Sequence, residues 1–195
     1  MPLSAVQPER YEELLRQKTQ RVSELLAPYC PMAPEIFPSA TTGYRMRAEF
    51  RIWHDGEKLD YVMFRRDDPR TPVPLDNFPV ACTSIQQLMP VLRDYLTGNL
   101  ELRRKLFQVE FLSTLAGDTL VTLIYHRKLE EQWQSEAEVL RATLQETVPG
   151  LSIIGRSRKQ KLVLGNNWVC ERLPIAGEEY SYRQYEQAFT QPNAR

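Results

Sequence analysis

A chain of 195 residues is long enough for one large domain or two small ones, with a sizeable core. Its 25 basic and 25 acidic residues cancel, so bulk charge argues for no polyanionic partner, and a nucleic-acid role has to rest on local basic faces. Cys30, Cys82 and Cys170 fit no metal spacing and are odd in number, and no apolar run reaches membrane-spanning length, so a reduced cytoplasmic protein with no metal and no membrane partner is expected.

In chain order, residues 1 to 8 read as a loose arm. From Pro8 the pattern turns helical: Tyr11, Leu14, Leu15, Val22, Leu25 and Leu26 share one face, and the helix stops before Pro28. Packing on the core is the expected use of that face, ahead of a separate partner-binding role. Residues 28 to 42 hold four prolines and read as an extended connector.

Gly43 to Asp55 has a period of two. Tyr44, Met46, Ala48, Phe50 and Ile52 fall on one face, and Arg45, Arg47, Glu49, Arg51 and Trp53 on the other. The first face suits a core. The second is either a solvated strand face with a Glu49–Arg ion pair or a platform for RNA. Asp55-Gly56 predicts a type I′ hairpin returning through residues 59 to 64. Residues 65 to 80 read as a proline-broken loop. Thr83 to Leu96 predicts a helix that Pro90 should kink or split, with one more helical turn within residues 99 to 105.

Residues 106 to 115 and 119 to 126 predict strands around a Gly117-Asp118 turn. Leu129 to Thr147 predicts a helix with Trp133, Ala137, Leu140 and Leu144 on one face. Residues 151 to 165 read as two short strands around a basic bend, and 168 to 175 and 180 to 189 as extended segments. Hairpins joined by occasional helices favour an α+β domain, an antiparallel sheet flanked by helices.

No glycine-rich phosphate loop is present, and neither His54 nor His126 has a metal-ligand spacing. Each histidine alone is more often an ordinary strand-end side chain. Basic residues do cluster: Arg45, Arg47 and Arg51 on a strand face; Arg103, Arg104 and Lys105 before Phe107; and Arg156, Arg158, Lys159 and Lys161 in the bend. The acids Glu130, Glu131, Glu136, Glu138 and Glu146 gather on or near one helix. Such segregation suits RNA binding, although charge runs are commonly just solvated faces.

Several runs in order, YRMRAEFRIWHDG, KLFQVEFLSTL, LIYHRKL, IGRSRKQK, ERLPIAG and FTQPN, resemble the tRNA (uracil-5-)-methyltransferases that form the T-loop thymine, bacterial type. The resemblance covers nearly the whole chain. It implies an S-adenosylmethionine-dependent methyl transfer to carbon 5 of the T-loop uracil. A cysteine thiolate adds at carbon 6 and a base then removes the carbon-5 proton. The SCNP-type nucleophile motif of that chemistry does not occur here, so no residue of this chain is expected to be catalytic.

The expectation is therefore an RNA-binding domain lacking the Rossmann-like methyltransferase domain. Residues 1–185 would form the RNA-recognition domain, and 186–195 the start of a linker into the missing one. By resemblance, Phe107 and His126 are stacking partners for bases, Arg51 is a loop-binding arginine, and Gln191 is a position that contacts S-adenosylmethionine. From the residues alone, Phe107 can equally pack in the core with Val109 and Phe111. Arg45, Arg47, Arg156, Arg158 and Lys159 complete the expected tRNA T-arm surface. A stand-alone RNA-binding or tRNA-folding module is the competing expectation.

Overall fold

Alternation of apolar and polar residues sets the architecture. In this computed structural model, which describes residues 7–30, 32–65 and 67–193, the central strand β1 (Arg47–Asp55) buries Ala48, Phe50 and Ile52 and exposes Glu49, Arg51 and Trp53. Residues 1–6 of the expected arm lie outside the described residues. The remaining strands are β2 (Lys58–Phe64), β3 (Pro72–Pro74), β4 (Leu106–Ser113), β5 (Thr119–Tyr125), β6 (Ser152–Ser157), β7 (Gln160–Leu164), β8 (Trp168–Ile175) and β9 (Glu178–Tyr185). The helices are α1 (Tyr11–Leu26), α2 (Thr83–Gly98), α3 (Leu100–Arg103) and α4 (Glu131–Thr147).

Seven strands form one sheet in the order β3-β2-β1-β4-β5-β6-β7, and β8 and β9 form a separate hairpin. Every pairing is antiparallel except β5 with β6, whose connection is α4. A parallel pair needs such a crossover. The fold is thus α+β with a mostly antiparallel sheet, as the sequence pattern predicts.

Helices α2 and α4 cover one face. Phe50 lies 5.4 Å from Tyr61, 5.3 Å from Phe78 and 6.2 Å from Phe111 between ring centroids, which makes an aromatic knot at the centre of that core. Tyr61 is fully buried, and its hydroxyl donates to the Met89 carbonyl at 3.0 Å. Burial pushes its phenol well above the ordinary range. On the opposite face, Leu112, Leu120, Ile154 and Val169 make a smaller cluster beneath β8. The buried Glu171 carboxylate accepts the Leu115 N–H at 3.0 Å, and Asp118 accepts the Cys170 N–H at 3.0 Å, which ties β8 to the β4–β5 turn. The hairpin therefore covers only one end of this second face.

Four expectations need correction. α1 forms as predicted, but none of its residues is buried and it makes no substantial contact with the sheet, because α2 and α4 already fill the core face. α2 runs without interruption through Pro90. Leu88, Met89 and Leu92 are buried on both sides of the proline, and that packing outweighs the one missing N–H. The β1–β2 loop is Gly56–Glu57, one residue later than predicted, with positive φ at Gly56 alone. A glycine in the first central position is the II′ pattern rather than I′. Part of the expected loop at 65–80 pairs as β3, where prolines are tolerated at a sheet edge.

Gly155 is the tightest point of the crossover. A Cβ there would fall inside the buried indole ring of Trp133. Gly155→Ala should destabilise the fold by at least about 1–3 kcal/mol, the usual cost of overpacking a rigid core. A urea melt reads this directly.

Candidate nucleic-acid interface

The end of the second sheet face that β8 and β9 leave open carries a three-layer stack. The Arg51 guanidinium lies 3.8 Å from the Phe107 ring centroid. The Phe107 and His126 rings are 4.0 Å apart at 28°. Two groups this close cannot share one ring face, so Arg51 and His126 sandwich Phe107. Phe107 is half-buried, and Arg51 and His126 are exposed.

Backbone irregularity makes the stack possible. Arg51 pairs with Gln108 in register, and the β4–β5 register slips between Leu106 and Gln108. The extra residue in that bulge is Phe107, which turns to the open face while Leu106 and Val109 stay in the core. Lys105 adopts φ +55° just before it, and the His126 N–H donates to the Lys105 carbonyl at 3.0 Å. His54 Nε2 meets the Leu106 carbonyl at 2.8 Å. A carbonyl only accepts, so His54 carries its proton on Nε2 and pins the bulge to the end of β1.

Beside the stack lies a groove of about 1070 Å³, floored by Ile124 and Tyr125 and lined by His126, Lys128, Arg156, Arg158 and Lys159, with no carboxylate on its wall. Arg158 and Lys159 are exposed on the β6–β7 turn, and among the described residues they form no ion pair. An electropositive slot next to an aromatic stack can hold phosphodiester and base together.

The other predicted basic residues are engaged elsewhere. Arg156 donates to Glu186 at 2.7 Å, and Lys161 lies 3.0 Å from the same carboxylate. Burial alone would raise the Glu186 carboxyl. Hydrogen bonds from Arg156 and then Lys161 outweigh it and hold the group below the ordinary carboxylate range. Arg47 pairs with Glu49 at 2.9 Å and donates to the Ala188 carbonyl at 3.2 Å. Arg45 is half-buried and donates to the Arg47 carbonyl at 2.8 Å. Arg103 donates to the carbonyls of Gly56, Glu57, Lys58 and Thr97, which fastens the β1–β2 turn. Glu110 lies on this same face, its carboxyl raised by burial and then by Glu49. Charge segregation is therefore partial, since three acids sit among the cations.

Sequence reasoning missed Glu186, His54 and Arg103 as organisers of this face. Glu186 follows Arg156 by 30 residues, and nothing local signals the pair. Gln191 is exposed on the tail, where the neighbouring Pro192 carbonyl accepts the Met46 N–H at 2.7 Å. One exposed amide with no enclosing wall does not make a nucleoside site. The described residues do not by themselves fit S-adenosylmethionine. Among them, no cluster of metal-ligating side chains occurs, and no helix is long and apolar enough to cross a membrane.

These features define an α+β sheet platform whose uncovered end pairs an aromatic–cation stack with a basic groove. A profile of the tRNA (Uracil-5-)-methyltransferase family matches residues 10–195, and the chain belongs to that family. It is 52% identical over 198 residues to the tRNA/tmRNA (uracil-C(5))-methyltransferase of Chromohalobacter salexigens, covering 100% of this chain and 52% of the relative. The Vibrio parahaemolyticus protein of the same name is 47% identical, covering 97% and 51%. The chain thus spans about half the length of these relatives. The fold is also shared with the crystal structure of Pyrococcus abyssi tRNA (uracil-54, C5)-methyltransferase in complex with S-adenosyl-L-homocysteine. That match has a TM-score of 0.66 at 15% identity, over 94% of this chain and 44% of the other.

The Glu186 cluster has a pH signature. A carboxyl lowered in the fold contributes stability that is complete above its unfolded value, ordinarily 4.5, and is lost as pH falls through the folded one. Glu186→Gln should lower the urea midpoint at neutral pH. The variant and parent midpoints should converge as pH drops below that ordinary value. Midpoints that stay equally far apart at all pH values would show that the carboxylate charge is not what holds the tail.

Proposed function

We propose that this chain is the tRNA-binding portion of a cytoplasmic tRNA (uracil-5-)-methyltransferase, which transfers a methyl group from S-adenosylmethionine to carbon 5 of the T-loop uracil. The portion binds the T-arm and is not itself catalytic. Family membership supports the substrate class. The observation that carries the binding role is the Arg51–Phe107–His126 stack opening onto the basic groove.

Carbon 5 of a uracil stacked inside a folded tRNA elbow is out of reach of any nucleophile. The base has to leave its stack, and the opened loop must be held meanwhile. His126 offers an exposed ring face for a displaced base, and Phe107 sets the height and tilt of that ring. Arg51, Arg158 and Lys159 supply charge for the flanking phosphates. Arg45, Arg47 and Arg156 act at one remove, by shaping the strand and tail that border the groove. Gln191 lies on the segment that the family resemblance assigns to the cofactor side. The S-adenosylmethionine site itself belongs to residues other than those described.

A paired measurement on Phe107→Ala tests this reading. A half-buried ring should cost about 1 kcal/mol of folding, well under the roughly 3–5 kcal/mol of a core phenylalanine. Titration with a T-arm stem-loop should lose up to roughly 1–3 kcal/mol, the worth of one base–aromatic stack, because the His126 ring loses the support that positions it for the base. Unchanged affinity per folded molecule would remove the stack from the RNA site.

The groove is tested separately. Joint replacement of Arg158 and Lys159 by Ala should weaken T-arm binding and flatten the plot of log K against log salt by roughly 0.7–0.9 per lost phosphate contact. An unchanged slope would place the RNA backbone elsewhere.

A further inference from the structure

α1 is an amphipathic helix with no fully buried residue; of its apolar stripe only Tyr11 and Leu15 are half-buried. Leu14, Val22, Leu25 and Leu26 are all exposed, Leu25 at 64%. The connector that follows continues the pattern, with Tyr29 at 87% and Phe37 at 80% exposure beside Met32 and Ile36. The core is closed without them, since its cluster draws on the sheet, α2, α4 and the loops between. This many exposed large apolar side chains in one segment of an otherwise well-packed domain point to an interface.

The tail lies close to one end of this strip. Tyr11 Oη accepts the Ser39 N–H at 2.6 Å, which clips the start of α1 to the end of the connector. Asn193 Nδ2 donates to Ser39 Oγ at 2.8 Å, which clips the tail to the same point. The last described residues therefore meet the end of the connector, next to the start of α1. The relatives are about twice as long as this chain.

We propose that the apolar face of α1, with Tyr29, Met32, Ile36 and Phe37, is the docking surface for the polypeptide that makes up the other half of the relatives' length. The face binds that polypeptide by burying Leu14, Val22, Leu25 and Leu26 as an amphipathic helix buries its stripe. RNA takes no part in this contact, so the proposal stands or falls independently of the T-arm reading.

Hydrogen exchange on two proteins tests it: the 195-residue chain, and the same chain carried on to the full length of its relatives. In the shorter protein, α1 amides should exchange freely, and the double variant Val22→Glu, Leu25→Glu should leave the urea midpoint unchanged. In the longer protein, α1 amides should exchange at least tenfold more slowly, and the double variant should abolish that protection. Equal exchange in the two proteins overturns the proposal. So does concentration-dependent dimerisation of the shorter chain that the double variant removes, because the occupant would then be a second copy.

Discussion

The one parallel pair among the named strands, β5 beside β6, decides which residues meet on the open face. Parallel strands end at the same edge of a sheet. His126, just past β5, and Arg158 and Lys159, just past β6, are therefore neighbours across one groove. An antiparallel β6 would put its turn at the opposite edge and leave His126 alone. Two antiparallel steps in the other direction, β5 to β4 to β1, bring the start of β4 and the second half of β1 to that same edge. Phe107 and Arg51 arrive there by register alone. The crossover depends in turn on α4 lying flat on the sheet, and Gly155 lets Trp133 approach that closely. The II′ loop at Gly56 and the Arg103 fork on its carbonyls then keep β1 long enough to present Arg51.

Basic residues on this face divide into those that build it and those left over. Arg103 and Arg127 are consumed by backbone carbonyls and by Glu101, and Arg156 and Lys161 by Glu186. Removing any of these would strand a partner's carboxylate or carbonyl and disturb structure first. Arg51, Arg158 and Lys159 have no carboxylate partner among the described residues, so their charge is available to a polyanion. A neutral chain can thus hold a positive groove without a large positive field, because several cations around it, among them Arg47, Arg127, Arg156 and Lys161, already sit beside carboxylates.

The strand and helix pattern was legible because burial here follows period. Residues 47 to 53 alternate as a half-buried strand must, and Trp133, Ala137, Leu140 and Leu144 bury together from one helix face. The family resemblance gives Arg51, Phe107 and His126 separate RNA-contacting roles and does not imply their mutual stack, whereas periodicity alone puts Phe107 with Val109 and Phe111. A bulge is invisible to a count by twos, and it is the bulge that frees Phe107 from the core. α1 shows the converse failure. Its apolar stripe is plain in the sequence, but a stripe does not say whether the core of this chain takes it up. Glu186 was illegible for a third reason, since ion pairs between residues distant in sequence leave no local trace.

The sandwich also constrains how a base can enter. Both faces of Phe107 are occupied, by Arg51 at 3.8 Å and His126 at 4.0 Å. A base that stacked directly on Phe107 would have to displace one of them. Displacing Arg51 gives up a cation–π contact worth about 0.5–1 kcal/mol at an exposed site, against roughly 1–3 kcal/mol gained. A base that stacks on the outer face of His126 gives up nothing, and it leaves Arg51 free to turn its outward N–H groups to a phosphate. The second route costs less, so under the proposed T-arm role an unstacked base would meet His126 first, with Phe107 as its support. The imidazole can sit there without collapsing onto the sheet because the ring beneath it is itself held, from below by Arg51 and along the chain by the His54 contact to the bulge. Preorganisation of this kind lowers the ordering cost of binding, and it explains why an exposed histidine at a strand end is built onto two further layers rather than left to move freely.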